Sequence, residues 1–158
     1  MVRQRRSGPL LAWCLYDWAN SAFTTLVVTF LYSAYFSENF APDPGRGTAL
    51  WSRGIMVSAL IIAGLAPIAG ALADRGNRRH YLIGCSLVCV AATAALAFIR
   101  PDSSYAVVTA LGVFVVANVA FEISMVFYNA FLPSIASPDQ MGRVSGYGWG
   151  LGYAGGLG

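Results

Sequence analysis

Asp17 and Glu122 each stand in an otherwise apolar stretch, and each belongs to a column of polar side chains. Asn20, Ser21 and Thr24 follow Asp17 at i+3, i+4 and i+7, the spacing that stacks side chains on one face of a helix. Asn118, Glu122, Met125 and Asn129 fall at i, i+4, i+7 and i+11, again one face. A carboxylate inside an apolar span costs roughly 2.5–3.5 kcal/mol on insertion scales, so it needs a pocket, a partner or a proton. The chemistry open to such a face is binding, either of a coupling proton or of a solute's amine, beside a water-filled path. The plainer alternative is a hydrogen-bonded pair that only holds helices together, a bond that averages about 0.6 kcal/mol in membranes.

Other chemistry is not indicated. Cys85 and Cys89 share a helix face but have no His or carboxylate neighbours at metal-ligand spacing, and with Cys14 they read as small apolar packing residues. His80 is single and sits beside arginines, which fits a solvated loop residue. The H-E-x-x-H, G-x-S-x-G and P-loop spacings are missing from the sequence. No metal, no cofactor and no enzymatic activity are expected.

The elements that carry the two columns are membrane spans. At 57% hydrophobic and 11% charged, with mean hydropathy +0.60, the chain lies far from the roughly 25% charged residues of soluble proteins. The expected fold is an all-α membrane bundle with spans at about 10–36, 54–72, 81–99 and 105–131 and an incomplete fifth at 145–158. Residues 1–9 are expected to form a cytoplasmic arm, and 10–158 the bundle of spans. Arg3, Arg5 and Arg6 ahead of an apolar run resemble a secretory leader, but the run is too long and lacks a cleavage site. It reads as a retained span. Every basic residue is an arginine. Placing Arg3, Arg5, Arg6, Arg75, Arg78, Arg79 and Arg143 on the inner side leaves Arg46, Arg53 and Arg100 outside, so the positive-inside rule selects a cytoplasmic N-terminus. These arginines flank spans and form no basic face, which argues against nucleic acid as a partner. Lipid and a small-molecule solute are the partners expected. A fifth span that stops at Gly158 is too short to cross, so the chain is expected to be the N-terminal part of a longer protein, paired with its own missing C-terminal half.

Gly70-Ala71-Leu72-Ala73-Asp74-Arg75-Gly76-Asn77-Arg78-Arg79 closes the second span. Asp74 stands near a helix C-terminus, where the macrodipole disfavours an anion, so Arg75, Arg78, Arg79 or another helix's N-terminus should compensate it. The decapeptide resembles the G-x-L-A-D-R-x-G-R-R loop of the major facilitator superfamily, with Asn77 in place of the usual glycine. Three further stretches, Tyr16 to Phe23, Phe127 to Pro133 and Arg143 to Gly146, resemble the vacuolar amino-acid effluxer branch, which includes autophagy-related permeases and bacterial relatives. The resemblance covers essentially the whole chain. It implies about twelve spans in two halves, of which four and a half are here, and a first and fourth helix that both line a central cavity. Asp17, Asn20, Ser21, Thr24, Asn118, Glu122 and Asn129 then become the expected cavity residues. It also implies a cytoplasmic latch from Gly70, Asp74, Arg75, Arg78 and Arg79, and a bacterial plasma-membrane location.

Gly146, Gly148, Gly150, Gly152 and Gly156 form overlapping G-x-x-x-G spacings, which in lipid predict a tightly packed helix. Ala59, Ala63, Ala66 and Gly70 repeat the pattern more weakly on the second span. The expected function is secondary transport of a small solute, with amino acids implied by kinship. A non-transporting membrane remnant or scaffold is the rival, and a membrane-embedded enzyme a more distant one.

Overall fold

The structure is a computed structural model that describes residues 7–157; Arg3, Arg5, Arg6 and Gly158 lie outside that range. Every regular element among the described residues is helical: α1 (Ser7–Ala22), a π-helical stretch Phe23–Thr29, α2 (Leu31–Asn39), α3 (Pro44–Asp74), α4 (Arg78–Leu96), α5 (Ala106–Asn129), the short α6 (Leu132–Ile135) and α7 (Met141–Leu157). The polytopic, all-helical class expected from the sequence is the one observed.

The first predicted span is not one unbroken helix. Its ladder widens at Phe23–Thr29, where the Phe30 amide reaches back to the Thr25 carbonyl at 3.0 Å, an i to i−5 bond. Thr24 and Thr29 hydroxyls donate to the carbonyls of Ser21 and Thr24, competing with the regular ladder as β-branched hydroxyl residues do. Among the described residues, three stretches are long and apolar enough to cross a membrane as they stand, Pro44–Asp74, Arg78–Leu96 and Ala106–Ile135. α3 starts ten residues before its apolar run, because Asp43 caps it by accepting from the Arg46 amide at 2.9 Å and Pro44 stands in its first turn.

α5 is the central rod. In the apolar windows of α3 and α4 only 11% of residues are buried inside the chain, against 39% for α5. The remainder of α3 and α4 is apolar surface for lipid and further helices. α3 meets its neighbours through Gly47, Trp51, Gly54 and Ser58, and near its end through Ala69 and Ala73, which cluster with Phe127 of α5. A Cβ on Gly47 would collide with the Ser37 backbone of α2, and one on Gly54 would come within 3.1 Å of Leu111 on α5. The predicted seam of Ala59, Ala63, Ala66 and Gly70 lies elsewhere on this helix. Ala59 and Ala63 are exposed, and a Cβ on Gly70 would touch nothing.

Below Trp51, the Asn118 amide donates to Ser58 Oγ at 2.8 Å in a buried contact between α5 and α3. Ser58→Ala removes the acceptor and leaves that amide dry. The expected cost is about 0.6–1.7 kcal/mol, the range for interhelical bonds in membranes, measured as a lowered thermal midpoint in a double-mutant cycle with Asn118→Ala. A cycle with no coupling between the two sites would show that the contact contributes nothing.

Candidate functional site

α1 enters the bundle beside α5 through its aromatic residues. Trp13 stacks on Tyr128 with ring centroids 4.4 Å apart and donates its indole N–H to the Tyr128 carbonyl at 3.1 Å. Tyr16 Oη bonds Ser86 Oγ at 2.8 Å and donates to Ser124 Oγ at 3.1 Å, joining α1, α4 and α5. Phe23 stacks on Phe121 at 5.0 Å. These contacts set the rotation of α1 and turn its polar column toward the space between α1, α5 and α7.

That space is a cavity of about 370 Å³. Asp17, Asn20, Ser21, Thr24, Thr25 and Phe30 form one wall, Phe121 and Met125 of α5 a second, and Trp149, Gly152, Tyr153, Gly156 and Leu157 of α7 the third. Asp17 is the only charged residue among them. No hydrogen bond to its carboxylate is made among the described residues. The Ser21 hydroxyl donates to the Asp17 backbone carbonyl at 2.8 Å, and the Asn20 amide points at Met125 Sδ, 3.4 Å away.

α7 lies against α1 through glycine. A Cβ on Gly148 would meet the Trp13 ring at 2.5 Å, one on Gly152 would meet Asp17 Oδ2 at 2.8 Å and Ser21 Oγ at 3.0 Å, and one on Gly156 would meet Thr25 Oγ1 at 2.6 Å. Gly155 is closer still, against the Trp18 backbone. Gly146 and Gly150 stand on the far side of the helix with open space about them. The glycine face therefore does two things. It allows close approach, and it seats the oxygen-bearing column of α1 at 17, 21 and 25.

The second polar column is spread over more than one neighbour. Met125 faces the cavity, but Asn118 is turned to Ser58 of α3, and Asn129 is exposed at the last turn of α5. Glu122 is half-buried, does not line this cavity and has no hydrogen-bond or ion-pair partner among the described residues. It lies about 100° around the helix from Phe121, the residue that occupies the cavity wall.

The loop after α3 is organised by Arg78. Its guanidinium donates to the Ala130 carbonyl at 2.7 Å and to Ser134 Oγ at 2.5 Å, and sits 4.6 Å from the centre of the Phe131 ring. An arginine at the N-terminus of α4 opposes that helix's dipole, whereas its charge beside the unpaired carbonyls ending α5 is favourable. Gly76 carries the turn with φ of 96°, while Asn77 keeps a φ of −89°. Asp74, Arg75 and Arg79 are exposed and form no ion pair among the described residues.

The family model of the Major Facilitator Superfamily matches residues 2–158. The chain belongs to the major facilitator superfamily. It is also 35% identical over 148 residues to an uncharacterized MFS-type transporter, YxiO, of Bacillus subtilis (strain 168). The match takes in 91% of this chain and 34% of that protein, so the chain spans part of the length of the curated relative it matches. No solved structure matches significantly.

As a member of that superfamily, the chain is an integral multi-pass membrane protein of a transporter family. Superfamily membership does not account for the residues that the sequence left unmarked. Thr25 enters the cavity beside Thr24 within the widened π-helical turn, which no hydropathy pattern announces. Trp149 and Tyr153 stand one place after Gly148 and Gly152 at i, i+4, a spacing that puts an aromatic stripe next to the glycine stripe. That signal was present in the sequence.

Proposed function

We propose that the protein is a secondary transporter that moves a small solute across the membrane by alternating access, with the cavity at Asp17 as its solute and coupling site. The observation that carries this reading is a lone carboxylate in a cavity also lined by the polar residues Asn20, Ser21, Thr24 and Thr25. Polar groups at membrane depth are placed where they bind solutes or ions, because lipid offers them no partners. This chain would supply one wall of the path and further helices of the transporter the other. Glu122, half-buried and unpaired among the described residues, is a second candidate for the coupling proton.

Amino acids are the solute class supported by resemblance to the vacuolar effluxer branch. A cytoplasmic N-terminus is supported by the arginine distribution, and a bacterial plasma membrane by the relative from Bacillus subtilis. On that orientation the Gly70–Arg79 loop is a cytoplasmic latch. Arg78 anchors it to α5, leaving Asp74, Arg75 and Arg79 available to another part of the transporter.

The test is flux. The protein expressed from its whole coding sequence, reconstituted into vesicles with an imposed pH gradient, should accumulate at least one labelled amine or amino acid with saturation. Uptake equal to that of protein-free vesicles across such a panel sinks the proposal.

A further inference from the structure

We propose that the cavity takes the ammonium end of a small organic cation and rejects solutes that also carry a carboxylate. This rests on the reading of the cavity as a solute site and, from its lining, puts simple amines in place of the amino acids that resemblance supports. Three features of the walls lead to it. The Asp17 carboxylate has no hydrogen-bond donor spent on it, since Ser21 donates to a backbone carbonyl and Asn20 turns to Met125. Its lone pairs are open to a ligand, and an N–H donor that is itself charged makes the stronger, shorter bond with a carboxylate.

The apolar lining is largely aromatic. Phe30, Phe121, Trp149 and Tyr153 border the same space, with the Trp149 and Tyr153 rings 5.4 Å apart and edge-to-face. The negative faces of such rings attract a cation, tryptophan most strongly, and do nothing comparable for an anion. A ring pair set at an angle also offers a corner into which the apolar body of an arylalkyl or alkyl amine fits.

Among the described residues, no lysine, arginine or histidine lines the cavity. The carboxylate of a zwitterionic amino acid would therefore sit unpaired among aromatic faces and near the like charge of Asp17, a doubly unfavourable placement. A volume of about 370 Å³ is at the small end of ligand pockets, which run from roughly 300 to 1,000 Å³. That room suits a molecule the size of phenethylamine.

Phenethylamine, phenylalanine and 2-phenylethanol differ only in the groups at issue, and the alcohol reports partitioning into detergent. Isothermal titration of the purified protein, expressed from its whole coding sequence, should show the amine binding at least about tenfold more tightly than either of the others. Asp17→Asn should erase that preference. Trp149→Leu changes a residue that is 66% exposed, so it should leave the fold intact and weaken the amine several-fold with little effect on the alcohol. Phenylalanine binding as tightly as phenethylamine overturns the proposal, as does a preference that survives Asp17→Asn. Selective amine binding with no flux in vesicles upholds this assignment and removes the transport reading. Saturable flux of an amino acid, with no amine preference in titration, upholds transport and removes this assignment.

Discussion

Gly155→Val is expected to separate α7 from α1 and to lower the thermal midpoint of the detergent-solubilised protein more than valine at Gly146 or Gly150. A Cβ at position 155 would fall on the Trp18 carbonyl group, with the Trp18 Cα only 2.9 Å away. Main-chain atoms inside a helix cannot rotate aside, so the two helices have to move apart. Relief at Gly148 is hardly easier, because the Trp13 ring that would be struck is stacked on Tyr128 and hydrogen-bonded to its carbonyl. Overpacking of this kind costs about 1–3 kcal/mol and sometimes more. The loss is larger in effect here because helix association in lipid depends on close van der Waals contact, with no hydrophobic drive to replace it. Gly150 gives the contrast. Nothing lies within 4 Å of its added Cβ, and alanine there should be neutral or stabilising by up to about 1 kcal/mol through helix propensity. Equal midpoints for Gly155→Val and Gly150→Val, read by scanning fluorimetry and checked by gel filtration, would show that the glycine face does not hold this contact.

The same contact shows what could be read from sequence. The column at Asp17, Asn20, Ser21 and Thr24 was legible because one helix period fixes one face, and all four residues line the cavity. What a face meets is a different matter. Asn118 and Met125 share a face by spacing, yet one touches α3 and the other the cavity, because the central helix has neighbours on several sides and they change along its length. The small-residue seam on α3 was misplaced for a related reason. Ala59, Ala63, Ala66 and Gly70 satisfy the spacing, but Gly47, Trp51, Gly54 and Ser58 meet α2 and α5. Small residues permit close packing on either face, and only the partner decides which face is used. The π-helical turn and the Arg78 cap depend on hydrogen bonds to carbonyls, groups that every residue carries and no sequence pattern distinguishes.

Asp17→Asn is expected to reduce initial rates of saturable uptake in vesicles by about a hundredfold while leaving the protein as stable as before, or more so. Asparagine matches aspartate in shape, so the packing beside Gly152 survives. What disappears is a charge in a place that penalises it, roughly 2.5–3.5 kcal/mol on insertion scales for a span centre. Losing an ammonium partner together with that charge removes a charge-assisted bond, and a few kcal/mol translates into two decades of rate or affinity. Asp17→Glu makes the geometric point. Its carboxylate lies one methylene further out, on a side where a Cβ added to Gly152 of α7 would already come within 2.8 Å of Oδ2, so charge is retained but misplaced and uptake should fall to an intermediate level. The pairing of readouts matters more than either alone. A carboxylate that merely held α1 to α7 would show the opposite signs, with Asp17→Asn lowering the thermal midpoint and flux declining only with the amount of folded protein. A destabilised variant with unchanged flux per folded molecule would therefore move Asp17 from the transport path to the scaffold.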